Sequence, residues 1–272
     1  MGDPSRGKLA KERVAEARDA ATQRVTDARD AATQRVGDAR DAATQRVADA
    51  KASASEFIER QKPRLRGVSH QWAFFVSLVA GSALIVAAPS TRATLAVGVY
   101  AISLSALLGV SALYHRVNWM RPNVRRWMRR LDHSMIFLLI AGTVTPFCVL
   151  VIDGPLADAL LVAVWAGAAA GIVVEMIWVD TPKWVATIVY ITVGWIAVLG
   201  FPAIVVAAGV GAGALIAAGG ILYTAGAVIY ARQRPDPRPA TFGYHEIFHV
   251  LVIAAAVAHF AAIALYALPA GS

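Results

Sequence analysis

His245 and His249 stand four residues apart in the stretch GYHEIFHVLVIAAAVAHF, residues 243–260. A helix there presents both imidazoles on one face, one turn apart, the spacing by which a single helix gives two ligands to one ion. A third imidazole, His115, closes another apolar segment, and a carboxylate, Asp132, opens a third one. Imidazoles with one carboxylate and no thiolate suit zinc best, with iron or copper behind it. Ser111 lies one turn before His115 and is placed to orient that imidazole or a bound water. Cys148, the one cysteine, sits inside an apolar run, which excludes an internal disulfide and any Cys-rich metal site.

The elements that must position these groups are membrane helices. Apolar residues make up 57% of the 272-residue chain and charged residues only 16%, and the mean hydropathy is +0.55, which is too apolar for an ordinary soluble domain. Seven segments reach spanning length, at about 70–90, 94–115, 131–152, 155–178, 183–204, 208–231 and 244–267. The weakest boundary is Gly200 to Gly213, where Pro202 and several glycines blur the break between spans five and six. The first 60 or so residues contain no apolar core of the kind a cleavable signal needs. Residues 1–67 are therefore expected to form a polar N-terminal arm and residues 68–272 a polytopic membrane domain of all-α class.

Loop charges give an orientation. Lys62, Arg64 and Arg66 precede span one. Arg116, Arg121, Arg125, Arg126, Arg129 and Arg130 lie between spans two and three, Lys183 starts span five, and Arg232, Arg234 and Arg238 lie between six and seven. The alternate loops are poor in positive charge. By the positive-inside rule the arm and the Arg-rich loops are cytoplasmic and the C-terminus is outside, in the inner (plasma) membrane of the cell. The net charge of +8 is thus a topogenic and lipid-facing feature rather than a sign of nucleic acid.

This orientation brings His115, Asp132, His245 and His249 to one layer, at the cytoplasmic ends of spans two, three and seven. Ionisable side chains in spans are costly and pair inside the bundle, so the convergence favours a metal over coincidence. His259 lies ten residues beyond His249, about 15 Å deeper along the helix. It is assigned to an interhelical hydrogen bond. His70 and His133 are read as tolerated interfacial residues, and Glu175, near the cytoplasmic end of span four, supplies an ionisable group outside the site.

The arm is a repeat. ARDAATQRV occurs at Ala17 to Val25, Ala28 to Val36 and Ala39 to Val47, a period of eleven. At about 3.67 residues per turn its Ala/Val stripe stays on one face with a slight right-handed drift. The preferred reading is a long solvated helix, because Ala and Val bury little area and the face lacks Leu, Phe and Trp anchors. A lipid-surface helix, or self-association as a right-handed coil, is the alternative. Its mixed charges do not make a nucleic-acid arm.

SALYH at Ser111–His115, LDHSMIFLLIAGTVTPF at Leu131–Phe147 and HEIFHVLVIAAAVAHF at His245–Phe260 resemble the three signature blocks of the hemolysin III family, the bacterial branch of the progestin and adiponectin receptor proteins. The resemblance covers roughly residues 68–270. It implies a seven-helix bundle with the N-terminus inside and a zinc ion near the cytoplasmic side, held by His115, His245 and His249. It also implies that Asp132 lies near the water on that ion and that Ser111 matches the serine one turn before the span-two histidine. Glu246 stands where the adiponectin receptors have Gln. One residue from His245, it points to another face and is not assigned as a ligand.

Three neutral imidazoles leave zinc an open position for water, as in catalytic rather than structural sites. Asp132 is the candidate base and Ser111 its neighbour. The wider superfamily resembled contains alkaline ceramidases, so the favoured reading is a zinc-dependent protein acting on lipid amide bonds, with membrane lipids as partners, in membrane-lipid homeostasis. A receptor or sensor with structural zinc is the alternative. A cytolysin comes next, disfavoured because a secreted pore former needs an export route and a soluble state.

Overall fold

The computed structural model describes residues 4–60, 63–178 and 182–271. Its Cα packing divides into two units, Met1–Lys62 and Pro63–Ser272. No β-strand occurs among the described residues.

The first unit is one helix, α1 (Pro4–Arg60). Its described side chains are exposed, the repeat valines Val25, Val36 and Val47 at 70%, 70% and 68%. The repeat has a local hydrogen-bond pattern as well as a sequence pattern. Thr22, Thr33 and Thr44 each donate to the carbonyl four residues back, on Arg18, Arg29 and Arg40, at 2.8–2.9 Å. Gln23 and Gln45 donate forward to Asp27 and Asp49 at 3.0 Å. Such i, i+4 bonds supply what a helix with so small an apolar stripe gains from its own surface.

Among its described residues the second unit has seven helical segments of 19 to 29 residues that are long and apolar enough to span a membrane, about 29 to 44 Å each at the helical rise. They are α2 (Val68–Val86), α3 (Thr91–Arg116), α4 (Pro122–Leu150), α5 (Pro155–Ile177), the broken span α6 (Lys183–Trp195) to α7 (Phe201–Ala208), α8 (Val210–Arg232) and α9 (Tyr244–Ala262). Helices are the form in which such apolar stretches satisfy every backbone group without water. Their ends follow local chemistry. Pro122 and Pro155 occupy first-turn positions of α4 and α5, where a missing N–H costs nothing. Ser90 caps α3 by accepting from the Ala93 N–H at 3.3 Å, and its hydroxyl donates to the Gly271 carbonyl at 2.9 Å, which ties the end of span seven to the start of span two.

Two boundaries differ from the sequence expectation. Helix α4 starts at Pro122, nine residues before the expected edge of span three at 131. The lipid limits where charges sit, but a helix need not stop at the lipid, and the first turns of α4 carry Arg125, Arg126, Arg129 and Arg130 beyond the apolar stretch. The indistinct region from Gly200 to Gly213 resolves into two features. Ile196–Gly200 tightens to a 3₁₀ turn just before Pro202, and Gly209, at φ +88°, separates α7 from α8.

Helices α3 and α4 form the inside of the bundle. In their most apolar windows 50% and 61% of residues are buried, against 17% in the broken fifth span, so the latter is the more lipid-facing element. Tyr100, Val97, Leu104 and Leu107 of α3 pack with Leu139 and Phe147 of α4 and Val252 and Ala256 of α9 in one core. Close approach of α3 and α4 depends on Gly142, where any Cβ would collide with the Ser103 hydroxyl. With no hydrophobic driving force between helices in lipid, such small-residue contacts are what hold a membrane bundle together.

Candidate metal centre

The last turn of α3 and the first two turns of α9 lie side by side at one end of the bundle. Helix α9 begins after Gly243, and Glu246 folds back so that Oε2 accepts from the Gly243 N–H at 2.8 Å, half of a capping box. The other carboxylate oxygen takes the Arg66 Nε–H from the segment before α2. Glu246 is 2% exposed. It is therefore not a surface residue on an outer face; it anchors the turn that carries His245.

With that turn fixed, the three predicted imidazoles converge. His115 Nε2 lies 3.2 Å from His245 Nε2, and ring nitrogens of His115, His245 and His249 all fall within 4.8 Å of one another. His249 and His115 are buried and His245 is partly so. Two nitrogens bound tetrahedrally to zinc at 2.0–2.1 Å would stand about 3.3 Å apart, so the observed pair fits a shared ion. The three histidines are close enough to bind a metal ion. Asp132 Oδ2 of α4 is 3.7 Å from His115 Nε2, and Ser111 and Asp132 line the same cavity beside it. Every site residue expected from the sequence is thus in one place.

Helix α2 contributes more than the sequence suggested. His70 is 2% exposed and its ring stacks on that of His249, centroids 3.8 Å apart and planes 12° from parallel. It is a wall of the site rather than a tolerated interfacial residue. Its place at the first residue of the expected span one puts it in the same layer as the other three, but which helix it packs against is not encoded there. The backbone just before α2 crosses closely over α3. Gly67 is at φ +77°, and a Cβ there would come 2.6 Å from the His115 Cβ.

His133 also departs from the tolerated role. Its Nδ1 lies 3.3 Å from Glu175 Oε2, and Tyr190 of α6 donates to Glu175 Oε1 at 2.7 Å. His259 behaves as expected of it: Nε2 donates to the Ile216 carbonyl of α8 at 3.2 Å, an interhelical bond.

A cavity of about 190 Å³ opens from this layer. Its walls run from Ser111, Asp132 and His70 past Ile136 and Val252 to His259, and are otherwise mostly apolar. Since one water needs only about 10–15 Å³, the space suits an elongated apolar ligand better than a trapped solvent molecule.

A seven-span helical bundle with a buried three-imidazole cluster at one end defines a polytopic membrane protein with a metal-capable core. The family model described as Haemolysin-III related matches residues 58–260, and the chain belongs to that family. Its relatives include hemolysin-3 of Bacillus cereus, 32% identical over 67% of this chain and 80% of that one. A hemolysin-3 homolog of Bacillus subtilis (strain 168) is 29% identical over 62% and 75%. Monocyte to macrophage differentiation factor of Homo sapiens is 30% identical over 62% and 68%. The matched region contains all three signature blocks and leaves most of α1 outside.

Proposed function

We propose that the chain is a zinc-dependent membrane protein that hydrolyses amide bonds of lipids in membrane-lipid homeostasis, seated in the inner membrane with the arm and the metal layer cytoplasmic. One observation carries the reading: three imidazoles within 4.8 Å of one another, with a carboxylate 3.7 Å from one of them, at the end of an apolar cavity. His115, His245 and His249 would hold the ion. Zinc in such a site supplies Lewis acidity and a water acidified towards about pKa 7.

The chain's own groups then have distinct tasks. Asp132 accepts a proton at Oδ2 when water adds to the amide carbonyl and returns it to the amine nitrogen as the C–N bond breaks, releasing fatty acid and amine. Ser111, in the same stretch of cavity wall, would donate to that carboxylate and hold its rotamer. The apolar walls hold the acyl chain and exclude bulk water, so the carbonyl meets the carboxylate at one depth.

A second reading treats the ion as a structural clamp between α3 and α9 in a lipid or protein sensor. The burial of His249 beneath His70 favours it. A cytolysin, suggested by the name of the Bacillus cereus relative, fits a bundle of seven apolar spans poorly.

Purified protein offered ceramide and N-acylethanolamine should release free fatty acid, lose that activity to a chelator and regain it with zinc. Full metal content with no product from either lipid would favour the structural clamp.

A further inference from the structure

Glu175 is an ionisable residue near the end of an apolar helix, 5% exposed, and a carboxylate at such a place is costly unless it is paired and used. It is paired from two other helices. Tyr190 OH of α6 donates to Oε1 at 2.7 Å, and His133 of α4 faces Oε2 through Nδ1 at 3.3 Å. With Nδ1 facing the carboxylate, the other ring nitrogen, Nε2, is left to meet a ligand, and in the Nδ1–H tautomer it accepts a hydrogen bond.

His133 follows Asp132 directly, so the two lie about 1.5 Å apart along the axis of α4 and belong to one layer. Asp132, His133 and Tyr190 all line the cavity. The exposure of the pair is unequal: the His133 side chain keeps 21% of its surface open, that of Glu175 6%. The carboxylate holds and the imidazole is presented.

We propose that His133 is a specificity-determining residue, whose Nε2 accepts a hydrogen bond from the N–H of a secondary amide held in the cavity. The inference rests on the reading above that the cavity takes lipid amides, and it narrows the class. Esters and tertiary amides have the same carbonyl but no N–H, and in an apolar cavity a built acceptor left without a donor penalises the ligand that leaves it so. Glu175 and Tyr190 are positioning residues that fix the tautomer and ring plane of His133, as outer partners do for functional histidines.

N-methyldodecanamide and N,N-dimethyldodecanamide differ in that one donor. Binding of each to purified full-length protein, followed by native mass spectrometry, should favour the secondary amide by roughly tenfold, the factor one net hydrogen bond supplies. His133→Leu should bind the two alike with metal content unchanged, an outcome that a purely structural role for the Glu175 network does not produce. The wild-type comparison needs no variant. Equal affinities there, or a preference for the dimethyl compound, would overturn the proposal and leave the lipid-amide reading standing. Absence of binding by either amide to metal-replete protein would overturn both. A full preference retained by His133→Leu would overturn the assignment to this residue.

Discussion

His70 of α2 lies face to face with His249 of α9, ring centroids 3.8 Å apart and planes 12° from parallel. A ligand imidazole backed by a flat ring keeps one plane, and so keeps its lone pair aimed. His70→Ala should lower zinc affinity by about 10–100-fold, the range for groups that orient metal ligands, while His70→Phe keeps a flat ring and should lose less. Competition titration with a zinc-sensitive chelator dye measures both, and an unaffected Ala variant would remove His70 from the site.

The three-imidazole cluster makes a stricter demand. Purified protein should carry about one zinc per chain, and alanine at His115, His245 or His249 should each lose most of it, since a three-ligand site seldom survives loss of one imidazole. Elemental analysis decides the point; full occupancy in the His245→Ala and His249→Ala variants would refute a shared site.

Asp132→Asn separates base from ligand. The amide keeps a hydrogen-bonding partner for Ser111 but cannot take a proton, so zinc content should hold while hydrolysis falls by about 10²–10⁴-fold. An Asn variant as active as the parent would end the base role.

Gly67 tests how tightly the segment before α2 must cross α3. At φ +77°, with a Cβ calculated to fall 2.6 Å from the His115 Cβ, Gly67→Ala should cost about 1–3 kcal/mol for the backbone conformation alone and push His115 away from His245. Thermal unfolding of the detergent-solubilised protein should show the loss, and a lowered zinc content should accompany it.

Orientation follows from charge and from the odd number of spans. Reporters fused after Ser272 and within the repeats should report opposite faces of the membrane, with the repeats inside. Both reporters on one face would contradict the seven-span path.

What could be read from the chain was whatever one helix or one loop encodes. The i, i+4 pair His245 and His249 shares a face by helical geometry, and the depth of His115 and Asp132 follows from the ends of their apolar runs. Which helix lies against which is not local information. Nothing in Val68–Gln71 says that α2 packs on α9 and lays His70 over His249, and nothing near Glu175 says that α4 and α6 supply its two partners. The start of α4 was hidden for a related reason: hydropathy marks where lipid begins, whereas Pro122 marks where the helix begins.

The eleven-residue period of α1 has a geometric consequence. Each unit gained or lost changes the helix by about 16 Å in length but only about 20° in azimuth. An insertion of nine residues would instead turn whatever lies beyond it by about 180°. The arm is in that sense a ruler with interchangeable segments, each copy number aiming the same side of the helix in nearly the same direction.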